Sequence, residues 1–154
     1  MTSKRSLEKH GKLQAAITRD FVSHFAPDVN LLYLEDGAKQ TLVFEKEIFA
    51  SIGVPLADFA GLPDTILFDE RRNWLFLIQA ITVSFPRPIS SIRHLALEEL
   101  FGNCTAGRVY VSAFLDFTTY KKFIGDISWE TDVWIAEAPS HMIHHNGEKF
   151  LGPH

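Results

Sequence analysis

Apolar residues recur every three or four positions between Ser6 and Phe25, and this pattern predicts a first helix that ends before Pro27. The run from Trp74 to Val83 is apolar at almost every position, which is typical of a strand in the middle of a sheet. The other predicted elements are, in chain order, strands at 31–35 and 41–44, a short helix near 47–52, a strand at 64–70, a helix from Ser90 or Ser91 to about Phe101, a strand at 108–115, a helix at 118–127, and strands at 131–137 and 141–150, the last interrupted by a turn at Asn146-Gly147. With no internal repeat or linker, the pattern predicts a single α/β domain over 1–154.

The helix near 90–101 carries both apolar and charged residues, so its spacing also predicts which side is buried. Ile92, Leu95, Ala96 and Leu100 are expected to face the core. The charged and polar residues of this helix are then expected to face outward or towards a site, and they are Arg93, His94, Glu98 and Glu99.

Composition and charge narrow the class of protein. Among 154 residues, 46% are hydrophobic and 12% aromatic, which excludes disordered, collagen-like and coiled-coil chains. The net charge of −4 excludes a simple nucleic-acid coat protein, but a nuclease stays compatible because its metal site is built from carboxylates. The single cysteine and the lack of a signal segment favour a cytoplasmic setting, and no apolar run is long enough for a membrane span.

Asp64 and Gln79 occupy positions that a hairpin brings together. If Arg71 and Arg72 form the centre of an even-membered turn, Asp64 lies directly opposite Gln79, with Cβ atoms ~4.5–5.5 Å apart. Such a pair fits a hard divalent cation such as Mg²⁺, with the main-chain carbonyl of Ala80 as a third ligand. The same spacing equally fits a solvated aspartate at the start of a strand that faces a hydrogen-bonded glutamine.

The chain resembles the C-terminal half of BsuBI/PstI-type type II restriction endonucleases along nearly its whole length. The resemblance is carried by LPDTILFDERRNWLFLIQAIT (62–82) and by the block 110–153, which contains WETDVWIA and HNGEKFLGP. Shorter similar blocks are HGKLQAAI (10–17), IGVP (52–55) and IRHLALEEL (92–100). The resemblance implies the PD-(D/E)XK nuclease fold, a central mixed sheet flanked by helices around an α-β-β-β-α-β core. It also implies hydrolysis of DNA phosphodiester bonds with Mg²⁺.

The resemblance also implies site residues, and it shows three departures. Asp64 matches the metal-binding aspartate of the family, and Arg93 is expected to assist at the scissile phosphate. Gln79 stands in IQAIT where the family has glutamate in IEAVT. Lys12 stands in HGKLQ where H-x-E-L-Q is usual, and Ile92 stands where a lysine precedes Arg-His. Because these positions are expected near the site, Lys12 is predicted to be a neighbour of Asp64.

Two main hypotheses about function follow. The first is a Mg²⁺-dependent type II restriction endonuclease domain with a degenerate motif, in which Asp64, Gln79 and Arg93 act in catalysis and Asp64, Gln79 and Ala80 hold the metal. The second is a catalytically inactive homologue that binds DNA or a protein. A weaker third option is an enzyme that acts on a different nucleic acid, because this fold hosts several such activities.

The expected partner is double-stranded DNA, and cutting a palindrome implies a twofold homodimer. Basic residues that are candidates for contact with DNA phosphates are Arg71, Arg72, Arg87, Lys121 and Lys122. For each of them the alternative is a solvated surface side chain.

Overall fold

The computed structural model describes residues 3–54, 56, 60–147 and 153. Within these residues one seven-stranded sheet runs through the molecule. Its strands are β1 (Asn30–Glu35), β2 (Thr41–Phe44), β3 (Thr65–Asp69), β4 (Trp74–Ile81), β5 (Gly107–Phe114), β6 (Thr131–Ile135) and β7 (Met142–His145). The helices are α1 (Lys4–Ala16), α2 (Val22–Phe25), α3 (Lys46–Ser51), α4 (Ser91–Leu100) and α5 (Phe117–Phe123). No helix in this part of the chain is both long and apolar enough to cross a membrane.

The sheet is mixed. Its strand order is β2-β1-β3-β4-β5-β6-β7, with β4–β5 and β5–β6 parallel and all other neighbouring pairs antiparallel. Parallel neighbours require crossover connections, which α4 and α5 supply. The predicted α/β class, with a central mixed sheet flanked by helices, is confirmed.

Strand β4 lies in the middle of the sheet and is covered on both faces. Leu75 and Leu77 pack on one side with Leu97 of α4, whereas Phe76 and Ile78 pack on the other side with residues of α1. This two-sided burial explains why the strand is apolar at almost every position. Gln79, near the C-terminal end of β4, is only half-buried.

The predicted first helix is confirmed, with an irregular centre. The side chain of Ser3 accepts a hydrogen bond from the N–H of Ser6 and caps α1. A π-helical turn, Ile17–Phe21, then joins α1 to α2. Ile17 and Phe21 are both fully buried, so the wider turn keeps two large side chains in the core.

Helix α4 forms where predicted, but the prediction of its buried side is wrong. Leu97 is 1% exposed, while Ile92 and Leu95 are 81% and 72% exposed. Ala96 and Leu100 are exposed as well.

Polar contacts explain the orientation of α4. Arg93 donates a hydrogen bond to the side chain of Gln79 at 2.9 Å, and His94 contacts the hydroxyl of Ser128 at 3.1 Å. These two partners hold the polar side of the helix against the sheet, because a buried polar group without a hydrogen bond is costly. The apolar stripe therefore faces solvent.

The C-terminal elements agree with the prediction except at their ends. The helix predicted at 118–127 is α5 followed by a 3₁₀ turn, Ile124–Asp126. The strand predicted at 141–150 is shorter and corresponds to β7, and its predicted residues 148–150 lie outside the described residues.

Candidate active site at the end of the central hairpin

The β3–β4 hairpin brings Asp64 and Gln79 together. Thr65 pairs with Ile78 in the antiparallel ladder, so the next step places Asp64 opposite Gln79. The amide nitrogen Nε2 of Gln79 donates a hydrogen bond to Oδ2 of Asp64 at 3.0 Å. The facing arrangement predicted from the turn is therefore present, while the catalytic roles of the two side chains stay a prediction.

The carboxylate of Asp64 is surrounded by hydrogen-bond donors. The hydroxyl of Thr65 donates to Oδ1 at 3.0 Å, and the main-chain N–H of Ala80 contacts both oxygens at 3.2 and 3.4 Å. Nε2 of His10 lies 3.4 Å from Oδ2. Thr65, Ala80, His10 and Gln79 thus all lie close to the two carboxylate oxygens of Asp64. Asp64 itself is 7% exposed.

Burial shifts the protonation of this cluster. It raises the pKa of Asp64 to about 7, against the opposing effect of hydrogen bonds from Thr65, Ala80 and Gln14. Burial also lowers the pKa of His10, which outweighs the attraction of Asp36 and Glu35. The lowered pKa of His10 favours a neutral imidazole in its 3.4 Å contact with Asp64.

Arg93 fixes the orientation of Gln79. Its Nη1 donates to Oε1 of Gln79 at 2.9 Å and to the main-chain oxygen of Arg87 at 3.0 Å. Because a guanidinium only donates, the amide oxygen of Gln79 must face Arg93 and its NH₂ must face Asp64. Burial lowers the pKa of Arg93, and the nearby Arg87 lowers it further.

The carbonyl of Ala80 lies on the Asp64 side of β4. The N–H and C=O of one strand residue point to the same neighbouring strand, and the N–H of Ala80 points to Asp64. The residue opposite Ala80 in this register is Pro63, which has no N–H to donate. The Ala80 oxygen therefore has no ladder donor from this position, and its role as a metal ligand stays a prediction.

Asp64, Gln79, His10 and Arg93 line one cavity of about 210 Å³, whereas Ala80 is not among the residues that line it. Its walls come from α1, from the turn after β1 and from the segment before α4. The lining side chains that carry charge or hydrogen-bonding groups include His10, Glu35, Asp64, Gln79, Arg87 and Arg93. The structure thus brings Asp64, Gln79, Arg87 and Arg93 together around one space.

Lys12 and Ile92 lie outside this cavity. Lys12 is exposed and lines a different cavity with Asp116 and Glu137, so the prediction that it neighbours Asp64 is wrong. The physical reason is helical phase, since residues of α1 two positions apart point in nearly opposite directions and His10 is the one that faces the site. Ile92 is 81% exposed.

The two arginines of the hairpin turn lie at the opposite end of β3 from Asp64. Arg72 donates to Asp69 at 2.6 Å and to the main-chain oxygen of Phe25 at 2.8 Å, and its guanidinium lies 4.2 Å from the ring centre of Trp74. These contacts give Arg72 a structural role. Arg71 is exposed at the turn, and Lys121 and Lys122 are exposed on α5.

His10 also belongs to the site, although the sequence pattern does not predict it there. Its ring lies 4.4 Å from the ring of Phe85, and its Nδ1 is buried with no hydrogen-bond partner among the described residues. The available signal was spacing: His10 and Gln14 lie one turn apart on the buried side of α1. Gln14 donates to the main-chain oxygen of Glu35 at 2.8 Å and so ties the helix to the same edge of the site.

Comparison with known proteins agrees with this arrangement. The chain is 37% identical over 146 residues to the type II restriction enzyme BsuBI of Bacillus subtilis, covering 95% of this chain and 46% of that protein. It is 30% identical over 148 residues to the type II restriction enzyme AplI of Arthrospira platensis, covering 92% and 45%. The solved structure of the SdaI restriction endonuclease superposes with a TM-score of 0.83 at 36% identity, covering 94% of this chain and 45% of that one.

The chain therefore spans about half the length of these relatives. Residues 2–148 match the BsuBI/PstI restriction endonuclease domain. The central mixed sheet, the hairpin that carries Asp64 and the match over almost the whole sequence lead to the same conclusion: this chain belongs to the BsuBI/PstI restriction endonuclease family.

Proposed function

We propose that this domain hydrolyses phosphodiester bonds of double-stranded DNA as the nuclease part of a type II restriction endonuclease, with Mg²⁺ as cofactor. The observation that carries the proposal is the buried Asp64 at the end of the central hairpin, with the guanidinium of Arg93 lining the same cavity. The relatives named above are type II restriction enzymes, which supports the same reaction class.

The residues fit a weak Mg²⁺ site better than a strong one. Asp64 offers a carboxylate and Ala80 a carbonyl, and Mg²⁺ usually completes its shell with water and substrate phosphate oxygens. Among the described residues, no group of three or more His, Cys, Asp or Glu side chains is arranged to hold a metal. In such sites the ion polarises the phosphate and stabilises its developing negative charge.

Gln79 contributes as a ligand only after it gives up its present partners. Its oxygen faces Arg93 and its NH₂ occupies Asp64, so metal binding competes with the Gln79–Asp64 hydrogen bond. The other two departures from the family pattern, Lys12 and Ile92, lie outside the cavity. We infer that Gln79 is the one departure, of the three named, that lies at the site itself.

Arg93 is the residue that we expect to contact the scissile phosphate. It projects from the first turn of α4 into the cavity, where, among the described residues, only its Nη1 donates hydrogen bonds. The remaining N–H groups are donors for phosphate oxygens, and a guanidinium stabilises the charge that develops on them during hydrolysis.

The direct test is incubation with supercoiled plasmid DNA in Mg²⁺ or Mn²⁺, with Asp64→Ala as the control variant. Nicked or linear products from the wild type and none from Asp64→Ala would support the proposal. Sedimentation of the protein with and without a palindromic duplex tests the expected twofold dimer.

A second candidate is a homologue that binds DNA without cleaving it. The observation that favours it is the amide of Gln79, which occupies the carboxylate that a metal needs. This candidate predicts that the wild type retains DNA in a gel-shift assay and leaves plasmid intact in both metals.

A further inference from the structure

Helix α1 carries a line of positive charge on its outer side. Arg5, Lys9 and Lys12 follow one another at intervals of four and three residues, which places them on one face of the helix. All three are exposed. The buried side of the same helix carries His10 and Leu13, so the charged line borders the site without entering it.

This line forms one wall of a continuous groove, which we call the α1 groove. One part, a cavity of about 360 Å³, is lined by Arg5 and Lys9 together with Leu115 and Asp116. The other part is lined by Lys9 and Lys12 with the same Leu115 and Asp116. Because Leu115 and Asp116 directly follow β5, the groove runs between α1 and the C-terminal end of that strand.

The α1 groove leads directly to the candidate active site. The hydroxyl groups of Ser6 and Ser84 lie 2.8 Å apart at the first part of the groove, where both line its wall. Ser84 also lines the cavity that contains Asp64 and Arg93. A long ligand in the groove would therefore lie next to the site where we place the scissile phosphate.

The acidic residues of the groove are already engaged by the fold. Asp116 accepts a hydrogen bond from the N–H of Thr119, and Glu137 accepts one from the N–H of Phe117, both at 2.8 Å. The bonds from Thr119 lower the pKa of Asp116, and Lys9 and Lys122 lower it further, which places both lysines near this carboxylate.

The positive side chains on the α1 wall of the groove differ from these acidic residues. Within the described part of the chain, no ion pair joins Arg5, Lys9 or Lys12 to a carboxylate. Arg19, further along the same wall, is paired with Asp20. Among the described residues, Arg5, Lys9 and Lys12 are therefore exposed cations of this helix without an ion pair, although Lys9 lies near Asp116.

The spacing of the charges fits a repeating anion. Arg5, Lys9 and Lys12 are spread over about 10 Å of helix axis, at steps of about 6 and 4.5 Å. A single anion is held by cations that converge on one point, whereas a DNA strand presents a negative charge about every 3.4 Å of its axis. We propose that the α1 groove binds the phosphate backbone of duplex DNA next to the cut, an inference that rests on the proposed function for its choice of DNA.

The test measures DNA binding separately from cleavage. A labelled duplex is titrated with protein in EDTA and in Ca²⁺, over a series of salt concentrations, and binding is read by fluorescence anisotropy. The variant Lys9→Glu with Lys12→Glu is compared with Lys46→Glu, Ala50→Glu and Ser51→Glu combined, which makes the same change in net charge at exposed positions of α3. Circular dichroism and thermal unfolding verify that both variants are folded.

We expect the groove variant to bind at least about tenfold more weakly and to lower the slope of log affinity against log salt by about two. The α3 control variant should stay within about twofold of the wild type at moderate salt, where distant charges are screened. If the groove variant misfolds, Lys9→Gln with Lys12→Gln replaces it, and the same loss of slope is expected.

Equal losses in both variants, no loss in the groove variant, or tighter binding of duplex RNA or anionic vesicles than of DNA would each overturn the inference. So would a wild type that binds no duplex. A wild type that binds DNA through the groove but leaves plasmid intact would contradict the proposed cleavage alone.

Discussion

The amide nitrogen of Gln79 lies 3.0 Å from Oδ2 of Asp64, while Arg93 holds the amide oxygen of the same side chain at 2.9 Å. A glutamate at this position would place a second negative charge beside a buried carboxylate. Such a pair is stable only with a cation between its members or with a proton on one of them. The neutral glutamine therefore lets Asp64 stay buried without a second charge beside it.

Gln79→Glu is predicted to tighten Mg²⁺ binding by about tenfold or more, because hard cations select oxygen ligands by charge and number. It also removes the NH₂ group that occupies Asp64. The affinity is measured by calorimetry and the activity by plasmid nicking, both beside the wild type. We expect nicking by the variant at Mg²⁺ concentrations at which the wild type is slow or inactive.

The control for this variant is Asp64→Ala combined with Gln79→Glu, which should neither nick DNA nor bind Mg²⁺ tightly. Gln79→Glu alone should also lower the free energy of unfolding in EDTA by about 1–3 kcal/mol, since it buries a charge beside Asp64. Mg²⁺ should restore that loss. Tight Mg²⁺ binding without any nicking would favour the DNA-binding homologue.

The pKa of Asp64 predicts how stability depends on pH. Its folded value of about 7 lies above its ordinary value of 3.8, so the folded state binds the proton more tightly. The stability that this proton contributes is full below pH 3.8 and is lost as the pH rises through about 7. In EDTA, the wild type should lose roughly 3 kcal/mol relative to Asp64→Asn between pH 5 and pH 8, at about 1.4 kcal/mol per pKa unit.

Urea unfolding of both proteins across this range measures the effect. The asparagine variant can differ from the wild type by an offset in stability, but that offset does not change with pH because its amide does not titrate. Parallel stability curves for the two proteins would mean that Asp64 keeps an ordinary pKa in the folded state.

The part of the fold that the sequence predicts well is local. The facing of Asp64 and Gln79 follows from one turn and an antiparallel ladder, and the burial of β4 follows from its unbroken apolar run. Both depend on residues close in the chain, so few alternative arrangements compete with them.

The part that the sequence does not predict depends on distant partners. Arg93 is expected near the site, but its acceptor Gln79 lies on another element, and Arg72 is held by Asp69 and Phe25. His10 joins the site because α1 packs over the end of the hairpin. Spacing alone ranks such polar residues as surface, since it contains no information about acceptors elsewhere in the fold.

The phase of α4 gives a prediction with a built-in control. Leu97→Ala should lower the free energy of unfolding by about 2–5 kcal/mol, because Leu97 is 1% exposed and its removal leaves a cavity against β4. Leu95→Ala, on the same helix, should change it by less than about 0.5 kcal/mol, because Leu95 is 72% exposed. Urea unfolding of the two variants measures both effects. A larger loss of stability for Leu95→Ala than for Leu97→Ala would mean that Leu95 faces the core, as the spacing alone predicts.

The adjacent arginines of the hairpin turn, Arg71 and Arg72, should likewise differ in how much they contribute to the free energy of unfolding. Arg72→Ala removes a charged hydrogen bond to Asp69, a bond to the oxygen of Phe25 and the stacking on Trp74, so it should lower the free energy of unfolding by about 1–3 kcal/mol. Arg71→Ala, at the exposed neighbouring position, should leave stability within about 0.5 kcal/mol of the wild type. The readouts are urea unfolding and DNA anisotropy on the same samples. If Arg72→Ala instead weakened DNA binding while stability stayed unchanged, this turn would be a phosphate contact and the structural role of Arg72 would be wrong.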